Sequence, residues 1–119
     1  VVDDDADSRD LVNRILTDRG AQVTAVASAE DALRRLESHV PDLIVSDIGM
    51  PGMDGYQLMR RIRASERNNS KLRALALTAF ARKEDQQRVI RAGYQSHLAK
   101  PFDAPDLVIA VSALLDRRE

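Results

Sequence analysis

The chain has 119 residues, 44% of them hydrophobic but only two Tyr and two Phe, and a formal net charge of -1. That length fits one domain with room for an interior, while near-neutrality and scarce aromatics leave neither the field nor the stacking surface that nucleic acid would need. Without cysteine there are no disulfides or thiolate metal sites, and without a bilayer-length apolar run or a visible signal peptide the chain reads as soluble and cytoplasmic, with no membrane insertion.

Val1-Val2 gives way at once to Asp3-Asp4-Asp5. Two apolar residues are short for a central strand, which usually runs about five or six. The first strand is therefore expected to be cut short at the N-terminus, and residues 1–119 to be a single domain taken from something longer. A helix is expected from Asp7 or Ser8 to about Arg19, with Leu11, Val12, Ile15 and Leu16 as its apolar stripe and Gly20 at its end. Val23 to Val26 reads as a second strand. Ser28-Ala29-Glu30-Asp31 resembles a capping box opening a helix with Ala32, Leu33 and Leu36 inward. After Pro41, Leu43 to Val45 suits a strand buried on both faces, which runs out at Asp47 and dissolves into a loop of Gly49, Pro51 and Gly52.

A third helix is expected from Tyr56 to about Ser65, with Leu58, Met59 and Ile62 inward, and Glu66 to Lys71 as a polar loop. Ala74 to Leu77 makes a fourth strand ending at Thr78. The fourth helix, Arg82 to Ala92, has only Val89 and Ile90 as strongly apolar residues, and Gly93 terminates it. Gln95 to Ala99 is a fifth strand ending at Lys100-Pro101. Asp103 can then cap a last helix carrying Leu107, Val111, Leu114 and Leu115. Five strand–helix units call for a parallel sheet with helices on both faces, doubly wound because a barrel would need more units.

In such a sheet all strand C-termini lie along one edge, where open α/β folds place their chemistry. Asp3, Asp4, Asp47, Thr78 and Lys100 each follow directly on an apolar strand, so their side chains should converge. Taken singly, each has a plainer reading. Asp5 reads better as a helix cap, Asp54 as a turn or cap residue, Thr78 as a turn residue, and Lys100 and His39 as surface groups. Together they form an oxygen-only acidic cluster with one ammonium and one hydroxyl. Clustered carboxylates repel unless a cation compensates. The absence of His and Cys ligands suits a hard ion such as Mg²⁺, and the whole suits a phosphoryl group on or near one carboxylate.

On Val1-Val2-Asp3-Asp4-Asp5, Asp42 to Gly55, Leu77-Thr78-Ala79 and Lys100-Pro101-Phe102, the chain resembles the receiver domain of two-component response regulators along essentially its whole length. The resemblance implies a flavodoxin-like five-stranded sheet of order 2-1-3-4-5. It also implies that Asp47 is the phosphoacceptor, attacking a phosphohistidine of a sensor histidine kinase or a histidine phosphotransfer protein. Asp3, Asp4, Asp47 and the main-chain carbonyl of Gly49 would then hold Mg²⁺, Lys100 would pair with a phosphoryl oxygen, and Thr78 would bond another. His97 stands at the switch position, where the family usually carries Tyr or Phe. Gly49 and Phe80 would flank the path of the hydrolytic water, and neither can orient it by hydrogen bonding.

Three rivals are weaker. A phosphatase of the haloacid-dehalogenase type would carry a second acid two residues after its nucleophile, and that position is Gly49. A flavodoxin-like cofactor binder would need hydroxyls, not three carboxylates, in its first loop. A degenerate receiver acting only as an interaction module is disfavoured by the intact acidic pair, Asp47, Thr78 and Lys100. The Thr78-Ala79-Phe80-Ala81 and His97 to Phe102 wording looks most like receivers attached to hybrid histidine kinases, relaying a phosphoryl group as monomers. The alternative is a regulator whose receiver dimerises through its fourth and fifth helices.

Overall fold

Side chains alternate between the two faces of neighbouring strands, and that alternation sets the architecture. The computed structural model describes residues 1–65, 72–79 and 82–115. Strands β1 (Leu43–Asp47), β2 (Arg73–Thr78) and β3 (Ser96–Ala99) form a parallel sheet in the order β1-β2-β3. Helices α1 (Ala6–Asp18), α2 (Ala29–Ser38), α3 (Gly55–Ala64), α4 (Lys83–Ala92) and α5 (Ala104–Leu115) cover it. Ala74 and Ala76 of β2 join Ile44 in one core with Leu36, Leu58, Met59, Ile62 and Val89, from α2, α3 and α4. Leu75 and Leu77 face the other way with Val45, meeting Val12, Ile15 and Leu16 of α1 and Leu107, Val111 and Leu114 of α5. Each such buried leucine contributes about 2 kcal/mol, so both faces are well supported, and the helices lie on both sides as expected.

The strand count differs from the sequence expectation of five, since three strands form ladders among the described residues. The other two expected strands are reduced to isolated parallel bridges of Val2 with Val26 and with Ser46. Their main-chain bonds are sound: Val2 N–H to the Val45 carbonyl at 2.8 Å, Asp47 N–H to that of Val2 at 2.8 Å, and Asp3 N–H to that of Val26 at 3.1 Å. Two apolar residues ahead of an acidic run supply one bridged position, and a ladder requires several in succession.

Helix ends follow the sequence closely. The Asp5 carboxylate accepts from the Asp7 N–H, Ser28 caps Asp31, and Asp54 and Gln57 form a reciprocal capping box, each cap contributing about 1 kcal/mol. Asp103 accepts from the Asp106 N–H at 3.1 Å. Helix α4 is the exception: its N-cap, Arg82, makes no side-chain capping bond. Of its two large apolar residues Val89 is buried and Ile90 is 51% exposed, because successive helical residues point about 100° apart. The polar loop expected at Glu66 to Lys71 lies outside the described residues, as do Phe80, Ala81 and the charged Asp116 to Glu119.

Candidate functional site

The C-terminal edge of the sheet gathers the polar strand ends. Asp3 leaves the Val2 bridge fully buried, Asp47 ends β1 and Thr78 ends β2, all three enclosed, while Asp4 is exposed. Register fixes their neighbourhood: Asp47 stands opposite Leu77, and Thr78 opposite Ala99, the residue before Lys100. The Lys100 N–H donates to the Thr78 carbonyl at 2.7 Å, and the Lys100–Pro101 peptide is cis. The Lys100 Nζ lies 3.2 Å from Asp3 Oδ2 and 3.5 Å from Asp47 Oδ1. Asp3 also accepts the Asp5 N–H through Oδ1 at 2.9 Å, and its carbonyl accepts from Arg9.

Asp3, Asp4 and Asp47 each offer a carboxylate oxygen, and these atoms lie within 4.8 Å of one another. Oxygen donors alone, with one ligand open to solvent, fit a hard divalent ion that keeps part of its water shell. Gly49 is exposed in the following loop, with open space where a side chain would project. His97 sits within β3 opposite Ala76 and half-buried.

Three carboxylates and one ammonium share the site, and two of these groups, Asp47 and Lys100, are shifted from their ordinary values. Burial pushes the Asp47 carboxyl above its ordinary value; the Lys100 charge opposes this, and the Asp3 charge adds to it. Burial also works against the Lys100 ammonium, but Asp47 and Asp3 together raise it. The pair is thus asymmetric: the lysine gains from two anions, whereas Asp47 loses more to desolvation and repulsion than one lysine returns. A carboxyl with a raised folded pKa holds more protons folded than unfolded. Its stabilisation is full below its unfolded pKa, about 3.9, and is lost as pH rises through the folded value. Metal-free Asp47→Asn should therefore be more stable than wild type at neutral pH. In thermal melts the gap should open as pH rises from about 4 and close when Mg²⁺ is added to the wild type. A gap independent of pH would show that Asp47 is not held at a cost.

Two positions that matter to the site were not singled out from the sequence. Gly55 opens α3 so close to β1 that a Cβ there would lie 2.5 Å from the Asp47 carbonyl oxygen and 2.8 Å from the Ile48 Cα. Its N–H also closes the loop onto the Ile48 carbonyl at 2.9 Å. Tyr94, 1% exposed, donates its hydroxyl to the Gly55 carbonyl at 2.8 Å. A glycine at a loop–helix junction gives a sequence signal of close approach, whereas a lone Tyr after a helix-ending Gly reads only as core.

Comparison with known proteins agrees with this geometry. The response regulator receiver domain family matches residues 1–112. A 14.6 kDa protein of Leptolyngbya boryana is 47% identical over 91% of this chain and 82% of its own length. The sensor protein GacS of Pseudomonas syringae pv. syringae is 38% identical over 92% of this chain, which spans 12% of that relative. The solved signal receiver domain of a signal transduction histidine kinase from Syntrophus aciditrophicus superposes with a TM-score of 0.88 at 30% identity, covering 99% of this chain and 91% of that one. Sequence and fold agree along the chain, which therefore belongs to the response regulator receiver domains of two-component signalling.

Proposed function

We propose that Asp47 is the phosphoacceptor of this receiver domain and that residues 1–119 act as one unit. The observation that carries the reading is the Lys100 ammonium lodged between Asp3 and Asp47, 3.2 and 3.5 Å from their oxygens. In the proposed reaction an Asp47 carboxylate oxygen attacks the phosphorus of a phosphohistidine on a sensor histidine kinase or phosphotransfer protein. The phosphorus–nitrogen bond breaks, the imidazole departs, and an acyl phosphate remains. Lys100 turns from the bare carboxylate to a phosphoryl oxygen, and the Thr78 hydroxyl donates to another. Asp3, Asp4, Asp47 and the Gly49 carbonyl would hold Mg²⁺, which when bound neutralises phosphoryl charge. Gly49 offers no second acid, so turnover of external phosphate esters is disfavoured.

In the finer reading the Val2 and Val26 bridges mark the edge strand and its neighbour at one end of a 2-1-3-4-5 order. Thr78 and His97 form the switch, with an imidazole in place of the larger aromatic. Phe80, assigned to the path of the hydrolytic water, lies outside the described residues. Among the described residues no helix is long and apolar enough to cross a membrane, which is compatible with a cytoplasmic place.

The relay reading takes the chain as a receiver of a hybrid kinase, which the likeness to GacS and to the Syntrophus receiver supports, and proposes that it acts as a monomer without binding nucleic acid. The alternative, dimerisation through α4 and α5, has little to work with on α5, where Ile109 is a lone exposed large apolar residue at 68%. Sedimentation with and without beryllofluoride decides. A monomer in both states is expected, and a phosphoryl-dependent dimer would make this a separate regulator.

A further inference from the structure

Phenylalanine would fill the space that Tyr94 fills; only the hydroxyl distinguishes them, and that hydroxyl sits under the acidic site. It donates to the Gly55 carbonyl at 2.8 Å, and the Ser46 hydroxyl donates to the Asp47 carbonyl oxygen at 2.9 Å. Burying a hydroxyl is costly unless it is bonded, so each of these two hydroxyls is held to the carbonyl partner that accepts from it. Those partners are the two ends of one loop. Asp47 begins it and Gly55 ends it, clamped by its bond to Ile48 and with no room for a side chain against the Asp47 carbonyl. Between them runs Gly49.

The turn that delivers Tyr94 is itself fixed. Gly93 adopts φ +120, a backbone conformation that side chains rarely take. Its carbonyl accepts two guanidinium bonds from Arg63, at 3.1 and 2.8 Å. A Cβ there would meet the Arg63 Cγ at 2.8 Å. Tyr94 therefore approaches the loop from a rigid corner.

We propose that the Tyr94 hydroxyl is a positioning group for the cation site: by tying down Gly55 it holds the Asp47–Gly55 loop so that the Gly49 carbonyl and the Asp47 carboxylate meet on one Mg²⁺. This rests on the Mg²⁺ reading given above. Tyr94 touches no reacting atom and acts through the loop alone.

The test titrates Mg²⁺ by calorimetry into wild type, Tyr94→Phe and Leu114→Ala, at a temperature where circular dichroism shows each folded. Leu114 lies in the core on the opposite face, so its truncation lowers stability without reaching the loop. The dissociation constant should rise about three- to tenfold in Tyr94→Phe, the worth of one buried hydrogen bond, and stay at the wild-type value in Leu114→Ala. Labelling by acetyl phosphate should slow by the same factor at low Mg²⁺ and recover at saturating Mg²⁺. Wild-type affinity in Tyr94→Phe, or an equal rise in Leu114→Ala, would overturn the proposal. Should Tyr94→Phe fail to fold, Arg63→Met frees the Gly93 corner that delivers Tyr94, and wild-type affinity there overturns it equally. A wild-type chain that binds no Mg²⁺ would refute the underlying reading and the inference with it, an outcome distinct from wild-type binding left untouched by the mutation.

Discussion

Incubated with acetyl phosphate and Mg²⁺, the wild-type chain should gain one phosphoryl group, and Asp47→Ala none. Three aspartates share the pocket, and their surroundings separate them. Asp3 is sealed from solvent, one oxygen held by the Asp5 N–H at 2.9 Å and the other by Lys100 at 3.2 Å. Asp4 is exposed, and no ion pair with Lys100 is seen among the described residues. Asp47 alone stands at the end of a ladder strand with the lysine within 3.5 Å, its pKa raised chiefly by burial and further by the Asp3 charge. Attack by Asp47 would place incoming phosphoryl oxygens beside Lys100, which is already in position to meet the developing charge, as would a cation held by the acidic cluster. Intact-mass measurement should show the added group on wild type, no added group when Mg²⁺ is chelated before the phosphodonor is added, and none on the mutant, a drop of at least about 100-fold. Equal labelling of Asp47→Ala would move the phosphoacceptor elsewhere.

Gly55→Ala should be the most damaging small substitution near the site. In a helix, alanine is ordinarily better than glycine by up to about 1 kcal/mol, so propensity alone predicts a gain. The new Cβ would instead lie 2.5 Å from the Asp47 carbonyl oxygen and 2.8 Å from the Ile48 Cα, backbone atoms that cannot rotate away. Either α3 or the end of β1 must move, at a cost of about 1–3 kcal/mol, and the clash outweighs the propensity. The melting temperature should fall by about 4 °C or more, and labelling should slow even at saturating Mg²⁺ because the nucleophile's own strand end is displaced. An unchanged melting temperature with wild-type labelling would mean the junction has slack.

Much of this was legible in the residues. Leu43 to Val45 running out at Asp47, and Ala74 to Leu77 at Thr78, gave both the strands and the site, because an apolar run that stops at a polar group marks a buried strand and its mouth in the same few letters. Ser28, Asp54 and Asp103 announced the helices they cap. The pairs Val1-Val2 and Val23 to Val26 were less informative: whether a short apolar run builds a ladder or a single bridge depends on how many partners line up, which lies outside the run itself. Composition named Val89 and Ile90 as the apolar residues of α4, but not that only Val89 faces in, since adjacent helical residues point apart. Tyr94 was unreadable for a different reason, since its significance lies in a bond to a carbonyl 39 positions away in the chain.

The fastening of α4 has a mechanical consequence. Val89 and Ala92 are its buried residues, and its first turn has no side-chain cap. Much of its attachment is peripheral: Arg88 laid over the Tyr56 ring at 4.1 Å, and Arg63 gripping the Gly93 carbonyl at its far end. A solvent-exposed guanidinium over a ring is worth about 0.5–1 kcal/mol, far less than the leucine layers that bind α1 and α5 across the sheet. The domain is therefore unevenly stiff, a hard slab of sheet and two helices with one compliant plate hinged beside the Thr78 strand end. Work done on Thr78 by a newly arrived anion would be absorbed first where the resistance is least, and α4 could shift its angle while the rest of the slab keeps its shape.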